Sequence, residues 1–349
     1  MRTNGVSAGA GAGAGAGVGV DGAEVEAEAD VEVVVVGGGA AGLGAAVTLS
    51  RARRSVLVID SGSPRNAPAA HVHGYLGHDG VPPAELLARG RAEAIGYGAR
   101  IVPGTAIAAD RLPGGGFLVR LGDGSTVRAA RLLVATGLRD ELPEVPGLAA
   151  RWGRDVLHCP YCDGWEWRDR PLAVLATGPL AVHQAHLWRQ WTPRVTLLAH
   201  TWRVPEDDRA ALAARGVAVV EGEVRGLALT GEDRLAGVTL AGGAAVACEA
   251  LVVAPRFTAR SGVLSSLGIT AVRQERDGHD LGTAVEAGPG GATALPGVWV
   301  AGNVTSPTDT VIAAAAQGVR AGMEINADLT GAEVRAAGAG ASATGVATG

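Results

Sequence analysis

The most reactive groups in this chain are two cysteines three positions apart, in His158-Cys159-Pro160-Tyr161-Cys162-Asp163-Gly164. A C-x-x-C spacing brings two sulfurs within disulfide reach and commonly lowers one thiol pKa to about 7, so the pair can cycle between dithiol and disulfide. Asp163 follows directly and is placed to shuttle a proton during that cycle. The same cysteines could form half of a structural zinc site with His183 and His186. The two-residue gap between those histidines is shorter than the usual three to five, and no metal is expected. Cys248, in Ala247-Cys248-Glu249-Ala250-Leu251, reads as a packed strand cysteine. Six of the seven tryptophans fall between Trp152 and Trp202. Core packing explains most of them, while Trp165 and Trp167 stand close enough to the dithiol to help form an apolar pocket.

A second chemistry-bearing segment is Gly37-Gly38-Gly39-Ala40-Ala41-Gly42, which fits G-x-G-x-x-G with Gly37, Gly39 and Gly42 in the required places. The first glycine permits a tight turn after a strand, the second lets a pyrophosphate approach the backbone, and the third lets helix and sheet pack closely. Phosphates would sit at the positive end of the helix dipole. Asp60 closes the next strand, where its carboxylate can accept hydrogen bonds from ribose hydroxyls. The motif specifies a dinucleotide without separating FAD from NAD. A second such turn is degenerate: Ala176-Thr177-Gly178-Pro179-Leu180-Ala181 has alanine for the first glycine. The strand after it runs into Leu198-Ala199-His200-Thr201-Trp202-Arg203, leaving Arg203 as the lone candidate grip for a 2′-phosphate. NADP(H) binding is left open.

Composition narrows the field. The 349 residues allow about two domains, and an apolar fraction of 47% suffices for real cores. Every basic residue is Arg; no Lys occurs, which excludes a Schiff-base lysine and a Walker-A phosphate loop. A net charge of −5 without a basic block gives no footprint for nucleic acid or an anionic membrane. Three cysteines do not describe a secreted disulfide scaffold, no signal peptide is evident, and a cytoplasmic setting is expected. The nearly uncharged stretch 32–49 contains five glycines and is followed by Arg51, Arg53 and Arg54, so it reads as a buried strand turning into a helix rather than a membrane span.

The elements that must position these groups alternate between strand and helix. Strands are expected at Val33–Val36, Val56–Asp60, Phe117–Leu121, Thr126–Ala129 and Leu132–Ala135, with helices over Ala40–Arg51 and from Pro82-Pro83 onward. Gly122-Asp123-Gly124 signals a hairpin. After a Pro-marked connection, Leu142 to Gly147, a second unit opens with strand Leu172–Leu175, helix Ala181–Gln190 and strand Val195–Ala199. Short strands follow at Val217–Glu221, Leu227–Thr230, Val238–Leu240 and Leu251–Ala254, then a last strand Gly297–Ala301 and a helix from Val311 to Leu329. This is the signature of an α/β fold with mainly parallel sheets. The Gly/Ala-rich residues 1–30 and the Ala/Gly/Thr-rich residues 331–349 are expected to be disordered tails.

The order of the pieces resembles the low-molecular-weight thioredoxin reductases, an FAD-dependent pyridine nucleotide-disulfide oxidoreductase family, over about residues 33–330. The matching segments are Gly37–Gly42, Ala135-Thr136-Gly137, Cys159–Asp163, Ala176–Ala181 and Gly297-Val298-Trp299-Val300-Ala301-Gly302-Asn303-Val304. The resemblance implies two Rossmann-like dinucleotide-binding domains. An FAD domain, 31–141 and 259–330, would be split around an inserted NAD(P)-type domain, 142–258, carrying the dithiol. It further implies bound FAD contacted by Gly37, Gly39, Ala40, Ala41, Gly42, Asp60, Ala135, Thr136, Gly137, Gly302 and Asn303, and a homodimer. Cys162 would face the flavin, Cys159 would exchange with substrate, and Asp163 would be the acid/base. Asn303 stands where the family has Asp, and its amide can still hydrogen-bond a ribityl chain. The helix beginning near Thr310 would aim its N-terminus at the isoalloxazine.

The degenerate second turn, the missing arginine cluster and Gly164-Trp165-Glu166 after the dithiol resemble the dithiol-oxidase branch, which closes disulfides in gliotoxin and holomycin biosynthesis. Asp163 matches the reductases themselves. The leading expectation is an FAD enzyme that oxidises a small-molecule dithiol with oxygen as final acceptor. The alternatives are an NADPH-dependent reductase of a thioredoxin-like protein, and a zinc- or flavin-binding interaction protein without turnover.

Overall fold

The structure, a computed structural model, describes residues 28–113, 115–276 and 279–345. The Gly/Ala-rich segment 1–27 lies outside them, while Glu28–Asp30, expected to belong to that tail, already form part of the first strand.

Strand β1 (Glu28–Val36) ends in four valines, Val33–Val36, that present no polar face because both faces of the strand are covered there. Val34 and Val36 enter one core and Val33 and Val35 the other, following the two-residue period of a strand. Each valine fully removed from water contributes roughly 1.5–3 kcal/mol. Helix α1 (Ala40–Arg51) follows, then β2 (Val56–Asp60), α2 (Pro83–Gly96) and β3 (Arg100–Pro103). A meander of β4 (Ala106–Arg111), β5 (Phe117–Leu121) and β6 (Thr126–Val134) comes next. The two strands expected at Thr126–Ala129 and Leu132–Ala135 are this one strand. Its first half pairs antiparallel with β5, and β1 runs parallel alongside it.

After β7 (Leu138–Glu141) the chain enters a second unit with the same plan. It contains β8 (Val156–Leu157), α3 (Pro160–Asp163), β9 (Leu172–Leu175), α4 (Leu180–Trp188), β10 (Val195–Leu198), α5 (Glu206–Ala214) and β11 (Ala218–Val220). An antiparallel meander, β12 (Val224–Leu229), β13 (Leu235–Leu240) and β14 (Ala245–Ala247), leads to β15 (Ala250–Val252). The parallel sheet has the order β11-β10-β9-β15-β8. Strand β9 again divides its residues between two cores, with Leu172 and Val174 on one side and Ala173 and Leu175 on the other.

Strand β16 (Arg256–Ala259) brings the chain back and pairs antiparallel with β7, so outgoing and returning segments lie side by side. Helix α6 (Gly262–Ser265), β17 (Ala271–Arg276) and β18 (His279–Val285) complete that small sheet, and β19 (Val298–Val300) joins the second half of β6 in parallel. The first large sheet therefore runs β3-β2-β1-β6, with β5 and β4 beyond. These are the two Rossmann-like α/β units the sequence implied.

The last helix, α7, spans Val311–Gly345. The disordered tail expected over 331–349 is thus helical as far as Gly345, and residues 346–349 lie outside the described ones. The apolar periodicity does stop at Leu329, but alanine has the highest helix propensity and carries the helix on. Arg54 also holds the extension, donating to Thr330 Oγ at 3.0 Å and pairing with Glu333.

Candidate functional site

The glycine turn after β1 is shaped by close backbone approach. Gly37 has φ +105°, and a Cβ there would lie 2.4 Å from the Ala135 carbonyl oxygen. A Cβ on Gly42 would lie 1.8 Å from the Gly37 oxygen, so both positions require glycine. Gly39, the N-cap of α1, has nothing within 4 Å of its would-be Cβ and opens into a cavity. The first intrahelical bond of α1 runs from Leu43 N–H to Gly39 C=O at 2.9 Å, leaving the N–H groups at the start of the helix to a ligand. Open space beside free donors at a helix N-terminus fits a dinucleotide pyrophosphate.

Asp60 ends β2 at the edge of the same cavity. Its Oδ1 accepts from Gly38 N–H at 3.1 Å and its Oδ2 pairs with Arg91 at 2.7 Å. Carboxylate lone pairs remain for ribose hydroxyls. Across the turn, Ala135 N–H donates to Val36 C=O at 2.7 Å. Thr136 Oγ donates to the Arg260 carbonyl at 2.6 Å and Gly137 takes φ +68°, turning the chain out of the sheet.

Gly302 N–H donates to Gln317 Oε1 at 2.8 Å, and Gln317 Nε2 donates to Asp309 at 2.5 Å, which fastens the turn to α7. Asn303 is more heavily committed than the sequence suggested. Its Nδ2 donates to the Ser306 and Asp309 carbonyls at 2.9 and 3.0 Å, and its Oδ1 accepts from Arg65 at 3.3 Å. Its amide oxygen has one remaining lone pair for a ligand, and its two N–H groups are spent on the loop that precedes α7.

The dithiol sits at the start of α3, with Cys159 as N-cap and Cys162 in the only turn. Pro160 is tolerated because an N1 residue needs no N–H donor. In the reduced pair the Cys162 thiol donates to Cys159. This lowers the Cys159 pKa, helped by the backbone N–H groups of Cys162 and Tyr161, although burial and the Asp163 charge oppose it. Cys162 is raised by the same hydrogen bond, by burial and by the Cys159 charge, with Arg65 opposing. The thiolate therefore settles on Cys159. Burial, then the Glu166 charge, push the Asp163 carboxyl up to about 6, with His73 pulling the other way. A carboxyl titrating there can both give and take protons near neutrality. Cys248 is fully packed, and burial pushes its thiol up to about 12.

One cavity of about 340 Å³ runs from Gly39–Ala41 past Asp60, Thr136 and Asn303 to Cys159, Cys162 and Asp163. Groups from both ends of the sequence thus meet in one space. Gly37 and Gly42 stand behind its wall as supports. Several lining residues had no sequence expectation attached: Arg65, His73, Arg91, His158 and Phe257. Arg65 and His73 sit in the long segment between β2 and α2, whose only sequence signal was unpatterned polar residues before Pro82-Pro83. His158 Nδ1 lies 3.2 Å from the Val253 carbonyl, its ring stands edge-on to Phe257 at 5.3 Å, and burial lowers its pKa. Trp165 is exposed beneath the Arg168 guanidinium, 4.2 Å from its ring, whereas Trp167 packs against the core of the inserted unit.

At the second nucleotide turn, Ala176 is buried and Pro179 is the N-cap of α4. Proline removes an N–H from the place where a pyrophosphate would seek one. His200, at the end of β10, has φ +46°, and its Nδ1 accepts from Val224 N–H at 3.0 Å. Burial lowers the His200 pKa, favouring a neutral ring. Arg209 is taken up by Glu221 and the Val204 carbonyl, leaving exposed Arg203 as the sequence suggested. His183 and His186 lie on α4, and among the described residues no group of three or more His, Cys, Asp or Glu side chains is arranged to hold a metal. No helix of the described residues is long and apolar enough to cross a membrane.

This fold and site define a flavoprotein disulfide oxidoreductase. The chain belongs to the pyridine nucleotide-disulphide oxidoreductase family, whose model matches residues 31–318, and it is thioredoxin reductase-like with FAD as its cofactor. Among solved structures, that of HlmI superposes with a TM-score of 0.84 at 44% identity, covering 91% of this chain and 98% of that one. Among curated proteins, thioredoxin reductase sirT of Leptosphaeria maculans is 28% identical over 84% of this chain and 92% of its own length. Thioredoxin reductase tcpT of Claviceps purpurea is 37% identical over 45% of this chain, a match spanning about half (51%) of that relative.

Proposed function

We propose that this chain is an FAD-dependent dithiol oxidase that closes a disulfide in a small molecule and delivers the electrons to oxygen. The observation that carries this reading is the single cavity joining the glycine cradle to the dithiol, set against a second nucleotide turn blunted by Ala176 and Pro179. In this reading residues 31–141 and 259–330 form the FAD domain, and 142–258 the inserted domain. Gly37–Gly42, Asp60, Ala135–Gly137, Gly302 and Asn303 would hold FAD, which would supply the acceptor for the two electrons of the Cys159–Cys162 dithiol and, with two protons, turn oxygen into hydrogen peroxide.

The chain's own residues perform the thiol chemistry. A substrate thiolate attacks Cys159 Sγ of the enzyme disulfide, and Cys162 leaves as thiolate. The second substrate thiol gives its proton to Asp163 and attacks the mixed disulfide, which frees Cys159 and the oxidised product. Exposed rings of Tyr161 and Trp165 beside the dithiol suit an apolar small molecule. The exposed side chains of Ile312, Val319 and Met323 along α7 support a homodimer, and only three cysteines in 349 residues suit a cytoplasmic setting.

Oxygen uptake by the purified holoenzyme tests the reading. A small dithiol should drive uptake with matching peroxide release, and NADPH with a thioredoxin should drive little disulfide reduction. Rapid NADPH-dependent thioredoxin reduction with no dithiol-driven uptake would replace this function with that of a reductase. The thioredoxin reductase names of the curated relatives make that the reading to beat.

A further inference from the structure

Asp163 is half-buried, and each dithiol oxidised breaks two S–H bonds and forms one S–S bond. The protons given up at sulfur are taken up again only when oxygen becomes hydrogen peroxide, so protons must move away from the dithiol and back within each cycle. The loop opposite the dithiol offers a route. It is pinned by paired backbone at Val72 and Val81, with Gly80 N–H donating to the Val72 carbonyl at 2.9 Å, and it presents His71 and His73 to the cavity. The His73 ring hangs between two carboxylates. Its Nδ1 is 3.4 Å from Asp79 of its own loop, and its Nε2 is 3.5 Å from Glu166, three residues beyond Asp163 on the opposite segment. Asp79 is itself fixed by Gly74 N–H at 3.0 Å.

We propose that His73 relays protons between Asp163 and solvent across this junction. The proposal rests on the thiol–disulfide reading of the site. Exposure rises along the path, from half-buried Asp163 through the side chains of His73 at 23% and Glu166 at 39% to Asp79 at 70%. Imidazole suits the task because one nitrogen can receive a proton while the other releases one. Contacts of 3.4–3.5 Å are longer than tight hydrogen bonds and leave the ring free to change partners. The charged and titratable groups facing His73 are Asp79 and His71 from its own loop, the latter 6.0 Å away ring to ring, and Glu166 and Asp163 from the dithiol segment. The His73 charge opposes, without reversing, the upward push that burial and Glu166 exert on the Asp163 carboxyl. The electrons take a separate course, from substrate sulfur to the enzyme disulfide and on to FAD and oxygen, so the relay moves protons alone.

The test is anaerobic reduction of the holoenzyme by dithiothreitol, followed across pH by the visible spectrum, with wild type, His73→Gln, Asp163→Asn and the double variant. His73→Gln should slow reduction about tenfold or more near neutral pH, in the lower range for a lost acid/base group. Added imidazole should restore much of the rate, and His73→Gln should cost little further in the Asp163→Asn background. FAD content and Tm should match wild type. A wild-type rate and pH profile in His73→Gln overturns the proposal. So does a loss that imidazole leaves untouched and that recurs in full in the Asp163→Asn background, since that marks a merely structural role. If wild type itself is not reduced by the dithiol, the thiol–disulfide reading falls and takes the relay with it.

Discussion

Arg65 grips Asp140 with two parallel hydrogen bonds, Nε to Oδ2 at 2.8 Å and Nη2 to Oδ1 at 2.6 Å. The Asp140 side chain is 7% exposed and that of Arg65 28%, so the pair is held largely out of water. The same guanidinium lies over the Phe257 ring at 5.1 Å and reaches Asn303 at 3.3 Å. It therefore ties β7 and β16, the strands passing between the two units, to the turn expected to touch the cofactor.

Replacing Arg65 with Lys keeps the charge and loses the fork. A lysine ammonium cannot satisfy both Asp140 oxygens and Asn303 at once. Stability should fall by about 2 kcal/mol, less than for a fully buried pair because Arg65 keeps some solvent contact. FAD should also be lost more readily on dialysis. Denaturant unfolding and the flavin-to-protein absorbance ratio check both effects.

Asp163 predicts a pH-dependent stability difference. Its carboxyl is raised from 3.8 to about 6, mainly by burial, so the folded state prefers the neutral acid. The folded protein then binds more protons than the unfolded chain between about pH 4 and 6, and this residue's contribution to stability falls as pH rises through that window. Asp163→Asn removes the dependence. The variant should equal wild type near pH 4 and exceed it by up to about 3 kcal/mol above pH 7. Its turnover should drop about a hundredfold. Chemical unfolding at the two pH values reads the first effect.

The blunted second turn predicts poor use of NADPH. With no N–H at Pro179 and a neutral, inward-bonded His200, binding should be too weak to detect calorimetrically at micromolar coenzyme. Ala176→Gly with Pro179→Ala should recover some affinity by restoring the narrow turn and its donor. Tight binding to the unaltered chain would show that other groups compensate.

Much of this architecture was legible in the sequence because it rests on local rules. The helix Ala40–Arg51 and the strands Val56–Asp60 and Phe117–Leu121 fall where glycine, valine and turn residues placed them. Strand ends slipped where tertiary pairing decides, as in β6, whose single run serves an antiparallel neighbour and parallel ones. The helix beyond Leu329 was missed because a low-complexity alanine-rich run reads as disorder until Arg54 supplies an anchor. At the site, the motif residues were readable, and Arg65 and His73 were not. Their importance comes from contacts with Asp140, Asn303 and Glu166, far away in sequence, and no local pattern encodes such a meeting.

The central claim is that electrons pass between substrate thiols and FAD only by way of Cys159 and Cys162. Anaerobic titration of the holoenzyme with dithiothreitol, wild type beside Cys159→Ser, tests it directly through the visible flavin spectrum. The wild-type flavin should bleach stoichiometrically, while the Cys159→Ser protein keeps its FAD and stays yellow. Bleaching of the serine variant at the wild-type rate would contradict the account.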